Sequence, residues 1–270
     1  MQLADLQEYL TYMSQIGFTG LALEANPFVM APKEPIKPRL VVANQPKKQE
    51  PPAKPKGPNL FDIMDSVSLT MTEADTQAQV DGVTGDSPVD MLRNLYKCFR
   101  SCEACALGTT RRKFVFGEGP HNAQLMFVGE GPGEDEDING RPFVGAAGQL
   151  LNRIIEAMKL SRNDVFITNV VKCRPPGDRT PLPDEVGSCS PVLVKQIEIV
   201  QPKAIVALGA TAFRFFKGGN VSIMRSRGQI IEWRGIPVMP TFHPAYILRN
   251  PRAKREVWED MKKIMAMLPE

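Results

Sequence analysis

The sequence lacks the features that mark membrane-bound and secreted proteins. No apolar run approaches the roughly 18–20 residues that a helix needs to span a bilayer. The N-terminal segment MQLADLQEYL is acidic and amphipathic, without the basic and then apolar layout of a secretory signal. We therefore expect a soluble protein of the cytoplasm, of the kind found in bacteria.

Cysteine and histidine are also scarce. The 270 residues include five unevenly spaced cysteines, an odd number that argues against a disulfide framework and for metal ligation or buried thiols. Of the two histidines, His121 lies in a turn-like segment, GPHNA, whereas His243 follows a predicted strand. His243 is therefore the better candidate for imidazole chemistry, although a lone loop histidine is often a hydrogen-bonded surface residue.

The net charge of +3 is unevenly distributed. Residues 1–87 carry 7 basic and 11 acidic side chains, whereas residues 88–270 carry 26 and 19. A polyanionic partner would therefore bind the C-terminal part. An excess of this size also occurs in proteins that never bind nucleic acid, so it permits DNA binding without demonstrating it.

Proline divides the chain. Residues 31–58 contain eight prolines among many lysines, which predicts an extended, semi-rigid linker. Apolar residues at helical spacing in 3–14 predict a short amphipathic helix, and 59–67 predict another. We predict an N-terminal arm at 1–87 with short helices and a Pro/Lys-rich linker, followed by a folded domain at 88–270.

Residues 88–270 alternate between strand and helix patterns. The strands are predicted at 125–128, 165–170, 204–208, 229–232 and 237–241, and the helices at 90–99, 146–158, 185–200, 210–216 and 254–268. This alternation predicts a three-layer α/β/α fold around a mostly parallel sheet. Ligand-binding loops would then follow the strands, at 129–143, 169–175 and 241–250.

Four of the cysteines could form one site. Cys102 and Cys105 form a C-x2-C pair, whose spacing lets both sulfurs face one metal or one cluster, and Cys173 and Cys189 could complete it. The alternative is an accidental pair and two buried thiols. Zinc is also bound by four cysteine thiolates, so these thiols alone do not identify the metal. We interpret Cys98 as a spare, partly buried thiol.

Several ordered segments resemble one family. The segments GEGPGEDED, RPFVGAAGQLLN, ITNVVKCRPP, PLPDE and FHPAYILRNP, together with the four cysteines, are similar to the iron–sulfur uracil-DNA glycosylases, often called family 4. The resemblance extends from about Cys102 to the last helix. It implies a central four-stranded parallel sheet and a structural [4Fe–4S] cluster on Cys102, Cys105, Cys173 and Cys189.

The resemblance also implies how uracil is bound. The base must leave the DNA stack before its glycosidic bond can be reached. Phe143 would stack on the flipped base, Asn169 would pair with its O4 and N3–H, and His243 would approach O2, where charge develops as the bond breaks. The alternatives are a core aromatic for Phe143 and a turn-forming amide for Asn169.

Residues of the glycine-rich loop would complete the pocket. In the family, Glu130 and Gly131 line it with backbone N–H groups. The better-known uracil glycosylases have Asp and Tyr where this chain has Gly131 and Gly133, so the group that positions the attacking water stays open. Glu130 is our first choice. Glu136 would shape the pocket near C5 and exclude thymine, or else be a solvated loop charge.

The remaining predicted contacts are with DNA. Ile247 and Leu248 would wedge into the gap left by the flipped base. Arg249, Arg252 and Arg174 would hold phosphates, although a basic run is also typical of a solvated helix start.

The resemblance predicts a monofunctional enzyme that releases uracil and leaves an abasic site. No histidine lies in 174–188, where one branch of the family attaches itself to DNA, and no lysine is evidently placed for a Schiff base. We expect a monomer whose arm could tether it to a DNA-bound protein partner. The alternatives are a non-catalytic DNA-binding module and an iron–sulfur electron carrier.

Overall fold

The structure is a computed structural model that describes residues 73–268, and the statements below concern that part of the chain. The helices are α1 Glu73–Asp81, α2 Pro88–Phe99, α3 Leu107–Thr110, α4 Glu134–Asn139, α5 Ala146–Ala157, α6 Pro183–Val200, α7 Ala210–Lys217, α8 Ile223–Ser226, α9 Pro244–Arg249 and α10 Lys254–Met265. The strands are β1 Leu125–Gly129, β2 Val165–Asn169, β3 Ala204–Leu208, β4 Ile231–Trp233 and β5 Ile236–Thr241. Short 3-10 turns lie at Pro176–Asp178 and Pro251–Ala253.

The strands form one sheet in the order β2-β1-β3-β5-β4. The first four are parallel, which confirms the predicted mostly parallel sheet, and β4 runs antiparallel to β5 at the edge. The sheet therefore has five strands rather than four. The extra strand follows from a hairpin, since Trp233 and Ile236 pair across the turn at Arg234 and Gly235.

Helices cover both faces of the sheet, as predicted for three layers. Alternate strand residues such as Phe127, Ile167 and Val206 pack with α5 and α10 on one face. Their neighbours, such as Met126 and Phe166, pack with α2, α6 and α7 on the other. Burial on both faces explains why the central strands are continuous apolar runs.

Two of the predicted ligand loops contain short helices. The first turn of α4 is rich in acidic residues, and the Glu136 side chain accepts a hydrogen bond from the Gly133 N–H, which caps its N-terminus. At α9, His243 is the N-cap residue and Pro244 occupies the first helical position. Both helices therefore begin at the carboxyl edge of the sheet.

The packed region begins before the predicted boundary at residue 88. Helix α1 packs against α6, and Val80 and Val83 are buried in the core on that face. Residues 73–83 therefore belong to the folded domain, because these two valines need its apolar surface. Residues 1–72, with the predicted arm helices and linker, lie outside the described residues.

Between residues 73 and 268, no helix combines the length and the apolar character needed to cross a membrane.

The docking of α1 predicts a stability difference between two valines. Val80 is 2% exposed in α1, and Val89 is 41% exposed in α2. Val80→Ala should lower the free energy of unfolding by about 1–3 kcal/mol because it leaves a cavity, whereas Val89→Ala should change it by less than about 0.5 kcal/mol. Thermal unfolding of the two variants measures the difference. Equal melting temperatures would show that α1 contributes nothing to the domain.

Candidate functional site

A cavity of about 470 Å³ opens at the carboxyl ends of the four parallel strands. Strand order reverses at β1, with β2 on one side and β3 on the other, and this is where ligands bind in such sheets. The lining includes all six residues predicted to contact the base: Glu130, Gly131, Glu136, Phe143, Asn169 and His243. The sheet topology therefore gathers residues that are 113 positions apart in the chain, from 130 to 243.

Asn169 carries an unsatisfied polar atom. It is the last residue of β2, is 1% exposed, and pairs with Gly129 across the parallel ladder. Its Oδ1 atom is buried and has no hydrogen-bond partner in the described part of the chain. Because an unpaired buried acceptor is unfavourable, this oxygen is a site for a donor brought by a ligand.

Phe143 adopts a strained backbone conformation beside Asn169. Its φ of 50° lies in the left-handed region, which is unusual for an aromatic residue. Arg162 holds the loop by donating to the carbonyl oxygens of Pro142 and Phe143, the latter at 3.0 Å. The ring of Phe143 lies 5.6 Å from that of His243, so the two rings form adjacent parts of the cavity wall.

Two glycines, Gly129 and Gly148, allow this arrangement; both lie in the segments that resemble the family, but no role was predicted for either. A Cβ at Gly129 would lie 2.3 Å from Asn169 Oδ1 and 2.5 Å from Phe143 Cζ. A Cβ at Gly148 would lie 1.9 Å from the carbonyl oxygen of Phe143. No side chain fits at either position. Glycine at the end of an apolar strand, as in LMFVG, is the signal that could have indicated a close approach.

Glu130 is held in place by another residue that the sequence analysis missed. The hydroxyl of Thr211, in the first turn of α7, donates to Glu130 Oε2. The Glu130 side chain is partly exposed at the cavity wall. One carboxylate oxygen is thus fixed by the protein, and the other is available to the cavity.

Glu136 is a structural anchor as well as a lining residue. Its carboxylate accepts hydrogen bonds from the N–H groups of Gly133 (3.1 Å), Val144 (2.8 Å) and Gly145 (2.9 Å). These bonds join the loop before α4 to the loop before α5. The interpretation of Glu136 as a solvated loop charge is therefore wrong, because the carboxylate is bound by backbone donors.

His243 is set up as a neutral hydrogen-bond donor. Its Nδ1 atom accepts the N–H of Ala245 at 3.2 Å, so the ring proton of the neutral form lies on Nε2. Burial lowers the pKa of His243 from 6.5 to about 4; the charge of Glu136 opposes this shift and that of Arg249 adds to it. The imidazole is therefore uncharged at neutral pH, with Nε2–H available to the cavity.

The predicted DNA wedge is only partly on the surface. Leu248 is 44% exposed in α9, but Ile247 is 1% exposed and packs in the core beneath it. The prediction that Ile247 inserts into DNA is therefore wrong, because one helical step of about 100° turns neighbouring residues to different sides.

The predicted phosphate contacts differ in their surroundings. Arg249 lines the cavity and Arg252 is exposed just beyond α9. Arg174 already pairs with Asp178 at 2.7 Å and lies 3.8 Å from Glu134. Its charge is thus largely balanced within the protein, which weakens its case as a phosphate ligand.

Four cysteines line one small enclosed cavity on the α2/α6 side of the sheet. These are Cys102, Cys105, Cys173 and Cys189, and none of them is in a disulfide. Burial raises the pKa of Cys173 and raises that of Cys189 to about 11, and the neighbouring thiols add to both shifts. Buried thiols such as Cys173 and Cys189, whose raised pKa disfavours ionisation, need a cation to become thiolates. Cys98 is exposed rather than partly buried and is not in the lining.

The surroundings of the cysteine cavity suit a sulfur-ligated metal group. Among residues 73–268, the side chains as placed form no group of three Cys, His, Asp or Glu that could hold one metal ion. The Ala104 N–H lies 3.4 Å from Cys102 Sγ, and Arg111 Nη1 lies 3.5 Å from Cys173 Sγ. Such donors stabilise the sulfurs of iron–sulfur clusters, so these residues fit a cluster.

A buried lysine connects the cysteine cavity to the pocket. The side chain of Lys172 is fully buried, and its Nζ donates to Thr168 Oγ1 (2.6 Å), Asn169 O (2.7 Å) and Gln196 Oε1 (2.7 Å). It therefore fixes the end of β2 immediately before Cys173. No role was predicted for Lys172, although a lysine within the apolar run VVKC is a signal of an unusual environment.

Comparisons with known proteins identify the family of this chain. The family described as "Uracil DNA glycosylase superfamily" matches residues 116–262, more than half of the chain. The type-4 uracil-DNA glycosylase of Thermotoga maritima is 50% identical over 173 residues, which cover 63% of this chain and 90% of that protein. That of Sulfurisphaera tokodaii is 49% identical over 185 residues, covering 65% of this chain and 84% of that protein.

A more distant relative belongs to another type. The type-5 uracil-DNA glycosylase of Pyrobaculum aerophilum is 33% identical over 144 residues, which cover 47% of this chain and 63% of that protein. Identity is thus higher, and coverage of the relative more complete, for the type-4 proteins. The chain belongs to the uracil-DNA glycosylase superfamily and, within it, to the type-4 uracil-DNA glycosylases.

Proposed function

We propose that this protein hydrolyses the N-glycosidic bond of flipped-out deoxyuridine in DNA, releasing uracil and leaving an abasic site, the first step of base excision repair. The observation that carries the proposal is the unpaired Asn169 Oδ1, buried beside Phe143 and the neutral His243 in one cavity. Membership of the type-4 family supports the same activity.

Asn169 would select uracil by hydrogen-bond polarity. Its Oδ1 atom would accept the uracil N3–H, and its amide N–H would donate to O4. Cytosine presents an acceptor at N3 and a donor at C4, so both groups of Asn169 would stay unpaired. Phe143 would stack on the base, and its left-handed backbone sets the ring in the wall of the cavity. Glu136 would fix the loop that faces C5, where thymine carries its methyl group.

His243 and Glu130 would act on the bond that breaks. Negative charge develops on uracil as the bond to the sugar opens, and the Nε2–H of a neutral imidazole placed at O2 stabilises that charge. Glu130 would orient the attacking water with the carboxylate oxygen that Thr211 leaves free. Gly131 supplies backbone at the same wall, where a larger side chain would contact Val171.

The lining supports a monofunctional enzyme. Strand cleavage by a glycosylase through a Schiff base needs an amine at the sugar. The described lining of the cavity contains Arg179 and Arg249 but no lysine. We therefore propose release of uracil without cleavage of the strand.

We propose that DNA approaches along α9. Leu248 would fill the gap left by the flipped base, and Arg249 and Arg252 would contact phosphates on either side of it. We further propose that the protein acts as a monomer in the cytoplasm, on the DNA of a bacterial-type nucleoid. A protein partner bound through the arm stays a prediction, since the arm lies outside the described residues.

Cys102, Cys105, Cys173 and Cys189 would hold a [4Fe–4S] cluster. When bound, it would supply a structural cross-link and no chemistry to the reaction. The protein around it shows what the link would hold: Lys172 connects the end of β2 to the segment that contains Cys173, and Arg111 bonds the carbonyl oxygens of Cys102 and Gly108.

Excision assays test the activity and the role of Asn169 together. On a labelled oligonucleotide with one uracil, the purified protein should create an alkali-labile site at uracil and none at cytosine or thymine. Asn169→Asp should lower kcat/KM by on the order of 100- to 1,000-fold, because a carboxylate cannot donate to O4. The same change at Asn163→Asp, exposed and outside the pocket, is the matched control. No excision by protein that retains its metal would favour the non-catalytic DNA-binding module instead.

NMR of the imidazole nitrogens tests the state of His243. The neutral Nε2–H form should persist from pH 8 to about pH 5 and protonate near pH 4, where burial places its pKa. Because the folded pKa lies below the ordinary 6.5, the unfolded chain binds the extra proton first, and the free energy of unfolding should fall as pH drops from 6.5 towards 4. The chain has two histidines, so the imidazole signals that remain in the His121→Gln variant belong to His243. A charged His243 at pH 6 would contradict the proposed donor.

Single cysteine variants test the cluster. Cys173→Ser should lose the brown colour and the bound iron and lower the melting temperature, because one of four ligands is removed. Cys98→Ser, which changes the thiol outside the cavity, should retain iron and stability. Zinc in the native protein, with all four thiols intact, would overturn the assignment to iron.

A further inference from the structure

A second cavity, at the far end of α4 from the uracil pocket, has an unbalanced positive charge. We call it the basic cavity; its volume is about 540 Å³, and its lining includes Arg100, Arg111, Arg112, Lys113, Tyr96 and Asn139. The described lining contains four basic residues and no acidic one. A concave surface of one sign concentrates its field and attracts the opposite charge.

Three of these cations are free to bind a ligand. Arg100, Arg112 and Lys113 are exposed, and no ion pair involves any of them within residues 73–268. Arg111 differs, because its guanidinium is bound by the carbonyl oxygens of Arg100, Cys102 and Gly108. It therefore contributes charge and holds the wall, while the other three present their side chains to solvent.

The backbone that carries these side chains is rigidly placed. Asp137 is 3% exposed, and its Oδ1 accepts the N–H groups of Arg112 (2.9 Å) and Lys113 (3.3 Å). This carboxylate offsets part of the positive charge. Its bonded oxygen faces the backbone, however, so the ends of the long side chains stay unpaired. The Lys113 stem lies over Gly140, where a Cβ would come within 3.2 Å of its Cδ.

An exposed aromatic ring borders the same cavity. Tyr96 is 41% exposed, and its ring packs against Phe114 and Phe116, with centroids 6.4 and 5.8 Å away. A supported ring beside several cations is the arrangement that binds single-stranded nucleic acid, in which bases stack on aromatic side chains while cations bind phosphates.

The basic cavity is close enough to the pocket to share one DNA strand with it. Helix α4 separates them, with Gly133 and Glu136 at the pocket and Asn139 and Gly140 at the basic cavity. The six residues of α4 span about 9 Å, which sets the separation of the two cavities along the helix. At a rise of about 3.4 Å per nucleotide, this separation corresponds to roughly three nucleotides of one strand.

We propose that the DNA strand carrying the uracil continues from the pocket into the basic cavity, where Arg100, Arg112 and Lys113 bind its phosphates and Tyr96 stacks on a base. The inference rests on the proposed function, since it extends the DNA site of the same enzyme. The cavity would then add affinity for DNA without taking part in the cleavage of the glycosidic bond.

The salt dependence of DNA binding tests this inference. Arg112→Gln/Lys113→Gln removes two predicted phosphate contacts. Lys159→Gln/Lys203→Gln removes two exposed lysines that line neither the basic cavity nor the uracil pocket. With a labelled, uracil-free single-stranded 15-mer, the first double variant should reduce the slope of log K against log salt by about 1.4. The control should match the wild-type protein. Equal slopes for the two double variants would overturn the proposal.

Excision kinetics separate this inference from the proposed function. With uracil in the middle of a trimer or of a 15-mer, the wild-type protein should have a lower KM on the longer substrate. The Arg112→Gln/Lys113→Gln variant should lose that advantage while its kcat stays unchanged.

The stacking role of Tyr96 is tested on the same 15-mer. Tyr96→Leu should raise KM, whereas Tyr96→Phe, which keeps the ring, should have the wild-type KM. A wild-type protein that excises no uracil would refute the proposed function, whereas the salt slope would still report on the cavity.

Discussion

The site depends on how closely the backbone can approach at the ends of β1 and β2. Gly129 and Asn169 are paired in the parallel ladder, and the edge of the Phe143 ring lies over the same point. Any side chain at 129 would occupy the space of the Asn169 amide and of the ring. The polar group that would read the base and the ring that would stack on it can therefore adjoin only because that strand ends in glycine.

Three side chains hold the segments around Gly129 and Asn169 in place through hydrogen bonds to backbone atoms. Arg162 holds the Phe143 loop, Glu136 joins it to the loop before α4, and Lys172 fixes the carbonyl of Asn169. Lys172 precedes Cys173, so the cysteine cavity and the pocket share one short segment of chain. A structural cluster on the four thiols would act on the pocket through this segment, since it would hold the segment from its other side.

Much of the fold followed from pattern, because apolar strands alternating with helices admit few arrangements. The cysteine spacing suggested the four-cysteine grouping, and the family resemblance implied the six lining residues. The error at Ile247 has a physical cause: Ile247 and Leu248 are adjacent apolar residues, and only the packing of α9 shows which of them is in the core. Gly129, Thr211 and Lys172 were missed because their roles arise from contacts between distant segments. Residues 73–83 were assigned to the N-terminal arm because most residues of α1 are polar. Only a few of its residues are buried, and these face α6.

The buried oxygen of Asn169, which has no hydrogen-bond partner among the described residues, has a consequence for the stability of the protein. A buried acceptor without a donor destabilises a fold by about 1–3 kcal/mol, a substantial share of the stability of an ordinary domain. A bound base that supplies the missing donor would remove this penalty, so occupancy of the pocket and resistance to unfolding are thermodynamically linked. Selection for stability alone would replace this amide by an apolar group. If Asn169 reads the base as proposed, the end of this buried strand is a position where recognition has been favoured over the most stable core.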